Sequence, residues 1–210
     1  MASNLIAISG GVGDDFLRLQ LQKLISLADS NPHERQLQEA AARADYNIGS
    51  ACMFRENGIP IAIERFDAAI ARVGEDSLIG KMAIHNRGIL SHLRNENDQA
   101  FAAYTMMIEF SEAPDEMWAC AFNNRADVYA ERGEHDNAIR DRTEVLALKD
   151  TSPDRRYIAL FRRSRSYSAI GDPEAALDDL GRILETWDIT PQQKAEARLE
   201  RAVIMRHLEC

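Results

Sequence analysis

The chain has 210 residues, 45% hydrophobic and 28% charged, enough for a core and a solvated surface, so disorder is excluded. Lys and Arg number 25 against 34 Asp and Glu, a net charge of −9 without any basic block. That balance gives no electrostatic footprint for nucleic acid and no attraction to anionic lipid. No apolar run approaches the roughly 20 residues of a bilayer crossing, and the opening MASNLIAISGG lacks the basic residues of a signal peptide. Cys52, Cys120 and Cys210 cannot all pair, which suits a reducing cytoplasm.

Residues 1–13 are expected to form a flexible leader. Leu5 to Gly13 reads like a strand entering a glycine loop, but Asp14 and Asp15 come next, where a phosphate cradle has Lys and Ser or Thr. Two carboxylates there repel phosphate. Residues 14–32 are expected to carry an N-terminal helix over 14–29, capped by Asp14 or Asp15 and stopped by Asn31-Pro32. It stands out of register with the rest of the chain. A degenerate half unit, a cap and an oligomer contact are all open readings of it.

From residue 33 onward the chain repeats every 38 residues. Ala83, Ala121, Ala159 and Ala197 form one column, broken in the first unit by Asp45. Ser50, Gly88, Ala126, Ser164 and Ala202 form a second, all small. Ala62, Ala100, Ala138 and Ala176 form a third, and Ile70, Ile108, Leu146 and Leu184 a fourth. Each unit predicts two helices. In the third, Phe122, Ala126 and Tyr129 share a helix face, ERGEHD stops it at Gly133, and Ala138, Ile139, Val145 and Leu146 point a second helix inward. The fourth unit stops at Gly171-Asp172-Pro173, and Pro173, like Pro60 earlier, suits a helix start.

The last stretch, Ala195 to Leu208, predicts a first-type helix that caps the stack. Ala197, Ala202 and Met205 are expected to cover the fourth pair, with Arg198, Glu200 and Arg206 facing water. Residues 33–210 thus form a repeat domain of four helix pairs and a capping helix. Small columns let backbones approach, and stacking buries an apolar face that one hairpin cannot bury alone.

These residues resemble the tetratricopeptide repeat family. Phe122, Ala126, Tyr129, Gly133 and Ala138 match its pattern in the third unit. Tyr46, Ser50, Ala62, Phe66 and Ala69 match it in the first, and Ile84, Gly88, Ala100 and Tyr104 in the second. Asn57 and Asn95 replace the turn glycine, and Arg142 replaces an aromatic. The family repeat is about 34 residues, so the longer period implies longer helices or connections. The resemblance implies an all-α, right-handed superhelix of stacked helix-turn-helix repeats.

Arg87, Arg125, Arg163 and Arg201 form a further column. Asp141 and Asp179 lie sixteen residues beyond Arg125 and Arg163, where antiparallel helices joined by a tight turn face each other. Two structural ion pairs, Arg125–Asp141 and Arg163–Asp179, are therefore expected, in preference to a basic ladder for an anionic partner. Ala103 holds the matching place for Arg87, whose partner the spacing does not give.

No catalytic residues, metal site or cofactor are expected. Among five histidines only His85 and His92 share a predicted helix face, and two ligands without a third make no zinc site. Cys120 stands near the place one repeat on from His85, yet no third group orients such a pair.

The resemblance implies that first-type helices line a concave groove. The expected partner-binding residues are Asn47, Met82, His85, Asn86, Asn123, Asn124, Asp127, Phe161, Arg162 and Arg165. Amides clamp an extended backbone through one donor pair and one acceptor. A branch of the family grips the acidic tail of heat-shock chaperones, but both of its lysines are missing, replaced by His85 and Ile158. The function expected is a non-catalytic scaffold that binds a protein or peptide segment in its groove, without nucleic acid or membrane. One alternative is a homo-oligomer assembled through the terminal helices. The other is a metal-binding or enzymatic protein using His85, His92 and Cys120.

Overall fold

In a computed structural model, which describes residues 12–186 and 188–208, the chain folds as ten α-helices. They are α1 (Val12–Ser30), α2 (Arg35–Cys52), α3 (Ile59–Val73), α4 (Leu78–Leu93), α5 (Asn97–Ile108), α6 (Asp115–Glu131), α7 (His135–Ala147), α8 (Pro153–Ala169), α9 (Pro173–Glu185) and α10 (Pro191–Leu208). Even-numbered helices from α2 are the first-type helices of the repeat, and odd-numbered ones from α3 are the second type. Residues 1–11 of the expected leader, including most of the glycine stretch, lie outside the described residues. Val12 and Gly13 already belong to α1, so Asp14 and Asp15 sit inside its first turn and do not cap it.

Why the chain turns where it does follows from backbone conformation. Gly133 and Gly171 have φ of 76° and 81°, the left-handed region that frees a side-chainless residue from a Cβ clash. Asn57 and Asn95 stand at the equivalent turns with φ of 57° and 60°. Asparagine is the other residue that tolerates this region, so the substitutions for glycine keep the turn. Pro60 and Pro173 fall in the first turns of α3 and α9. The extra length of the repeat goes into first-type helices of 16–18 residues and the connections between units.

The chain divides into two compact units, Met1–Gln99 and Ala100–Cys210. In the first, α2 packs on α3, α3 on α4 and α1 on α2. Its core is Ala42, Met53, Ala62, Phe66, Ala69, Ala83 and Leu90. A Cβ on Gly49 would stand 2.8 Å from the Phe66 ring, so the small residue lets an aromatic close the helix pair. Ile25 and Ala28 of α1 bury against Ala41 and Ala44. Asp45, which broke the alanine column, is fully buried and accepts from Arg65 at 3.1 Å and Arg72 at 2.9 Å. Arg72 also donates to Gln38 and to Asp29 of α1, so one guanidinium ties three helices together.

In the second unit, α6 packs on α7, α7 on α8, α8 on α9 and α9 on α10. Tyr157, Leu160, Leu180, Ile183 and the alanine columns fill the core between α8, α9 and α10. Arg163 donates to both carboxylate oxygens of Asp179, at 2.8 and 2.6 Å, and to Thr143 at 2.7 Å. Arg125 makes the same set with Asp141, at 2.8 and 2.9 Å, and with Thr105. Burial works against both charges, but the carboxylate hydrogen bonds win and hold each guanidinium above its ordinary value. In the first unit Arg87 pairs instead with Asp67 of α3, at 2.8 Å.

The capping helix departs from expectation. Ala197 and Ile204 of α10 are buried, whereas Ala202 is exposed and Met205 is 44% exposed. Ala202 stands two residues from Ile204, about 200° round the helix axis, and so faces away from the fourth pair.

Candidate partner-binding face on the first-type helices

The groove residues of the first unit lie on α2 and α4. Asn47 is exposed, and Met82 and Asn86 are half-buried. Asn86 donates to the Tyr46 hydroxyl at 3.3 Å and to Ser50 Oγ at 3.2 Å, so its amide donor holds α4 against α2. Its carbonyl oxygen is the group that remains for a partner. His85 is 6% exposed, too buried to offer contact surface, which removes it from the expected set.

In the second unit the corresponding residues lie on α6 and α8. Asn123 is 2% exposed and donates to the Arg155 carbonyl at 3.2 Å. It is a cross-link between neighbouring first-type helices and leaves the set for the same reason as His85. Asn124 is half-buried, with its amide 3.7 Å from Cys120 Sγ. Phe161 is half-buried and stacks on Tyr157 with centroids 5.6 Å apart, while Arg162 and Arg165 are exposed.

The charge at this face is uneven. Asp127 accepts from Arg142 at 2.9 Å and pairs with Arg162 through its other oxygen. Arg142, the residue that replaces the family aromatic, is 2% exposed and also donates to Ser166 Oγ and the Arg162 carbonyl. Burial pulls its guanidinium below the ordinary arginine value, and Asp127 opposes that shift. One carboxylate therefore faces two cations. Arg142 is the buried cation of the two, and Arg162, 46% exposed, is the one open to solvent.

Arg165, one turn further on, stands 3.6 Å from Glu200 of α10 and is 65% exposed. Ile158 lines a cavity of about 630 Å3 at the starts of α6, α8 and α10, beside Glu116, Arg155, Gln192 and Glu196. Its walls are held by Glu116 accepting from Ser152 and Arg155, and by Tyr157 donating to Glu196 at 2.6 Å. That bond and Gln192 hold the Glu196 carboxyl below the ordinary glutamate value, while burial and the same bond push the Tyr157 hydroxyl up.

The residues of the catalytic alternative belong to different helices. His85 is buried on α4, and Cys120 belongs to the other unit on α6. Burial pushes the Cys120 thiol up. Among the described residues no group of three or more His, Cys, Asp or Glu side chains is placed to hold a metal, and no helix is long and apolar enough to cross a membrane.

Two features escaped the sequence. The Asp45 cluster was visible only as a break in a column, and the Asp127–Arg142–Arg162 group only as a missing aromatic.

No protein-family model and no curated protein matches the chain. Among solved structures it is similar to MamA, at 19% identity and a TM-score of 0.57, covering 85% of this chain and 95% of that one. It is also similar to a thermophilic TPR protein of Thermus thermophilus, at 19% identity and a TM-score of 0.49, covering 92% and 95%. The fold is a tetratricopeptide-like, all-α helical repeat.

Proposed function

We propose that this chain is a non-catalytic protein-interaction scaffold whose first-type helices hold an extended segment of a partner protein. In the second unit, Asn124 meets the partner backbone and Arg162 selects a carboxylate, either a C-terminus or an acidic side chain. Arg165 adds a second cation one turn away, and Phe161 and Ile158 offer apolar contact. In the first unit, the Asn86 carbonyl and Asn47 do the corresponding work on α4 and α2.

The observation that carries this reading is the shared carboxylate. Asp127 is one negative charge set between Arg142 and Arg162. A partner carboxylate that displaces Asp127 from Arg162 still leaves Asp127 paired with Arg142. Binding thus strands no charge, and it exchanges one charge-assisted contact for another. The −9 background makes this exposed cation selective, because the rest of the surface repels an acidic segment.

The test starts from a partner recovered from native lysate by affinity capture and identified by mass spectrometry. Its binding segment is then titrated against wild type and Arg162→Ala by calorimetry. Affinity should fall about tenfold or more, and raised salt should weaken the wild-type complex. Thermal stability of the free variant should stay within about 1 °C, since an exposed side chain carries no core. If Asn124→Ala with Arg162→Ala leaves the affinity unchanged, this face does not bind the partner.

A further inference from the structure

From α4 onward the arginine column gives each first-type helix a cation with two places to find an acceptor. One place is sixteen residues on, in the second-type helix of the same unit, where Asp141 and Asp179 serve Arg125 and Arg163. The other is twenty residues back, in the preceding second-type helix, where Thr105, Thr143 and Asp67 serve Arg125, Arg163 and Arg87. Arg201 of α10 belongs to the same column, and among the described residues neither place holds an acceptor for it. Gly181, with no side chain to accept, stands twenty residues back. The helices packed on α10 are α9 and α8, both on its inner side. Arg201 is exposed, and it makes no hydrogen bond or ion pair among the described residues.

Its surroundings match. Ala202 continues the small column that is buried at Ala126 and Ser164, where a second-type helix covers it, yet Ala202 is exposed. Met205 and Leu208, 44% and 57% exposed, extend an apolar stripe along the same side of α10. Arg198, also exposed and unpaired among the described residues, flanks it. This side of α10 has the small residue, the large apolar neighbours and the arginine with which α6 and α8 seat α7 and α9.

We infer that the outer face of α10 docks an acidic amphipathic helix of a partner protein. That helix sits as α9 sits on α8, with its apolar stripe over Ala202, Met205 and Leu208 and a carboxylate on Arg201. The repeat itself specifies the occupant: Arg125 and Arg163, the half-buried and buried members of the column, each take a bidentate aspartate from the helix that covers them. A second copy is a poor fit. Asp141 and Asp179 are already buried in their own hairpins. The outward side of α1 would bring Lys23, with Leu19 and Leu27, against Arg201. The surface is separate from the groove around Arg162.

The probe is a helix-stapled, fluorescein-labelled peptide with the α9 sequence PEAALDDLGRILE, titrated by anisotropy against the full chain. It should bind, and Arg201→Glu or Met205→Glu in the chain should each weaken it about tenfold or more. Both residues are exposed, so circular dichroism should show an unchanged fold. A peptide carrying Asp179→Arg should bind the Arg201→Glu chain better than the wild-type chain, and Arg162→Ala should leave the peptide affinity unaltered. The inference is overturned if the peptide does not bind, or if neither α10 change weakens it. It is equally overturned if Arg162→Ala abolishes binding, or if the chain sediments as a dimer that Met205→Glu dissociates, which would make a second copy the occupant.

Discussion

The Arg163–Asp179 pair offers the sharpest test of how the second unit is held together. Asp179 is 1% exposed and Arg163 8%, and the two share a bidentate contact at 2.6 and 2.8 Å. Asp179→Ala leaves a buried guanidinium with Thr143 and the Tyr167 ring, 5.6 Å from its carbon, as its remaining partners. Arginine cannot shed its proton, so the cost should be about 3–5 kcal/mol and constant across neutral pH. Arg163→Met strands Asp179 instead. Arg182 stands 3.5 Å away and is half exposed, so it can still reach the carboxylate. That variant should therefore lose less. The double variant should cost less than the two singles combined, because no charge is left behind. With a urea slope of about 2–3 kcal/mol per molar, Asp179→Ala should lower the unfolding midpoint by roughly 1–2.5 M by circular dichroism. Single effects under about 0.5 kcal/mol that simply add would show an exposed contact with no structural role.

Two further outcomes rest on the packing. A chain truncated after Ile189 loses α10, exposes Tyr157, Leu180 and Ile183, and should melt at lower temperature and aggregate more readily, while the helicity of the first unit survives; complete loss of the circular-dichroism signal would point to one indivisible core. Glu196 titrates below its ordinary value of 4.5 because Tyr157 and Gln192 donate to its ionised form, so its contribution is fully present above that value and fades as pH falls through the lower folded value. Melting temperatures from pH 7 to 3 should drop more steeply for wild type than for Glu196→Gln, and parallel curves would refute the tether between α8 and α10.

Periodicity made the fold legible. A chain whose contacts reach only neighbouring helices writes its architecture as one-dimensional columns, so the 38-residue step marks the paired helices and the turns between them. Even the asparagines at positions 57 and 95 declared themselves, because few residues replace glycine at positive φ. The sixteen-residue spacing of Arg163 and Asp179 is similarly local, since one tight turn fixes which residues of a hairpin meet. What the columns do not carry is the side from which a neighbour approaches. Asn123 and Asn124 are adjacent in sequence, yet the approach of α8 buries one against the Arg155 carbonyl and leaves the other half open. Arg142 is a polar residue at a core position until Asp127 and Ser166, from two different first-type helices, close round it. Ala202 and Met205 satisfy the repeat pattern for a covered surface and are bare, because burial depends on whether a helix is there to cover them. The sequence by itself determined the hairpins and their order. Burial, and with it the division of each arginine between structure and partner, is a property of pairs of helices, and only the tertiary packing decided it.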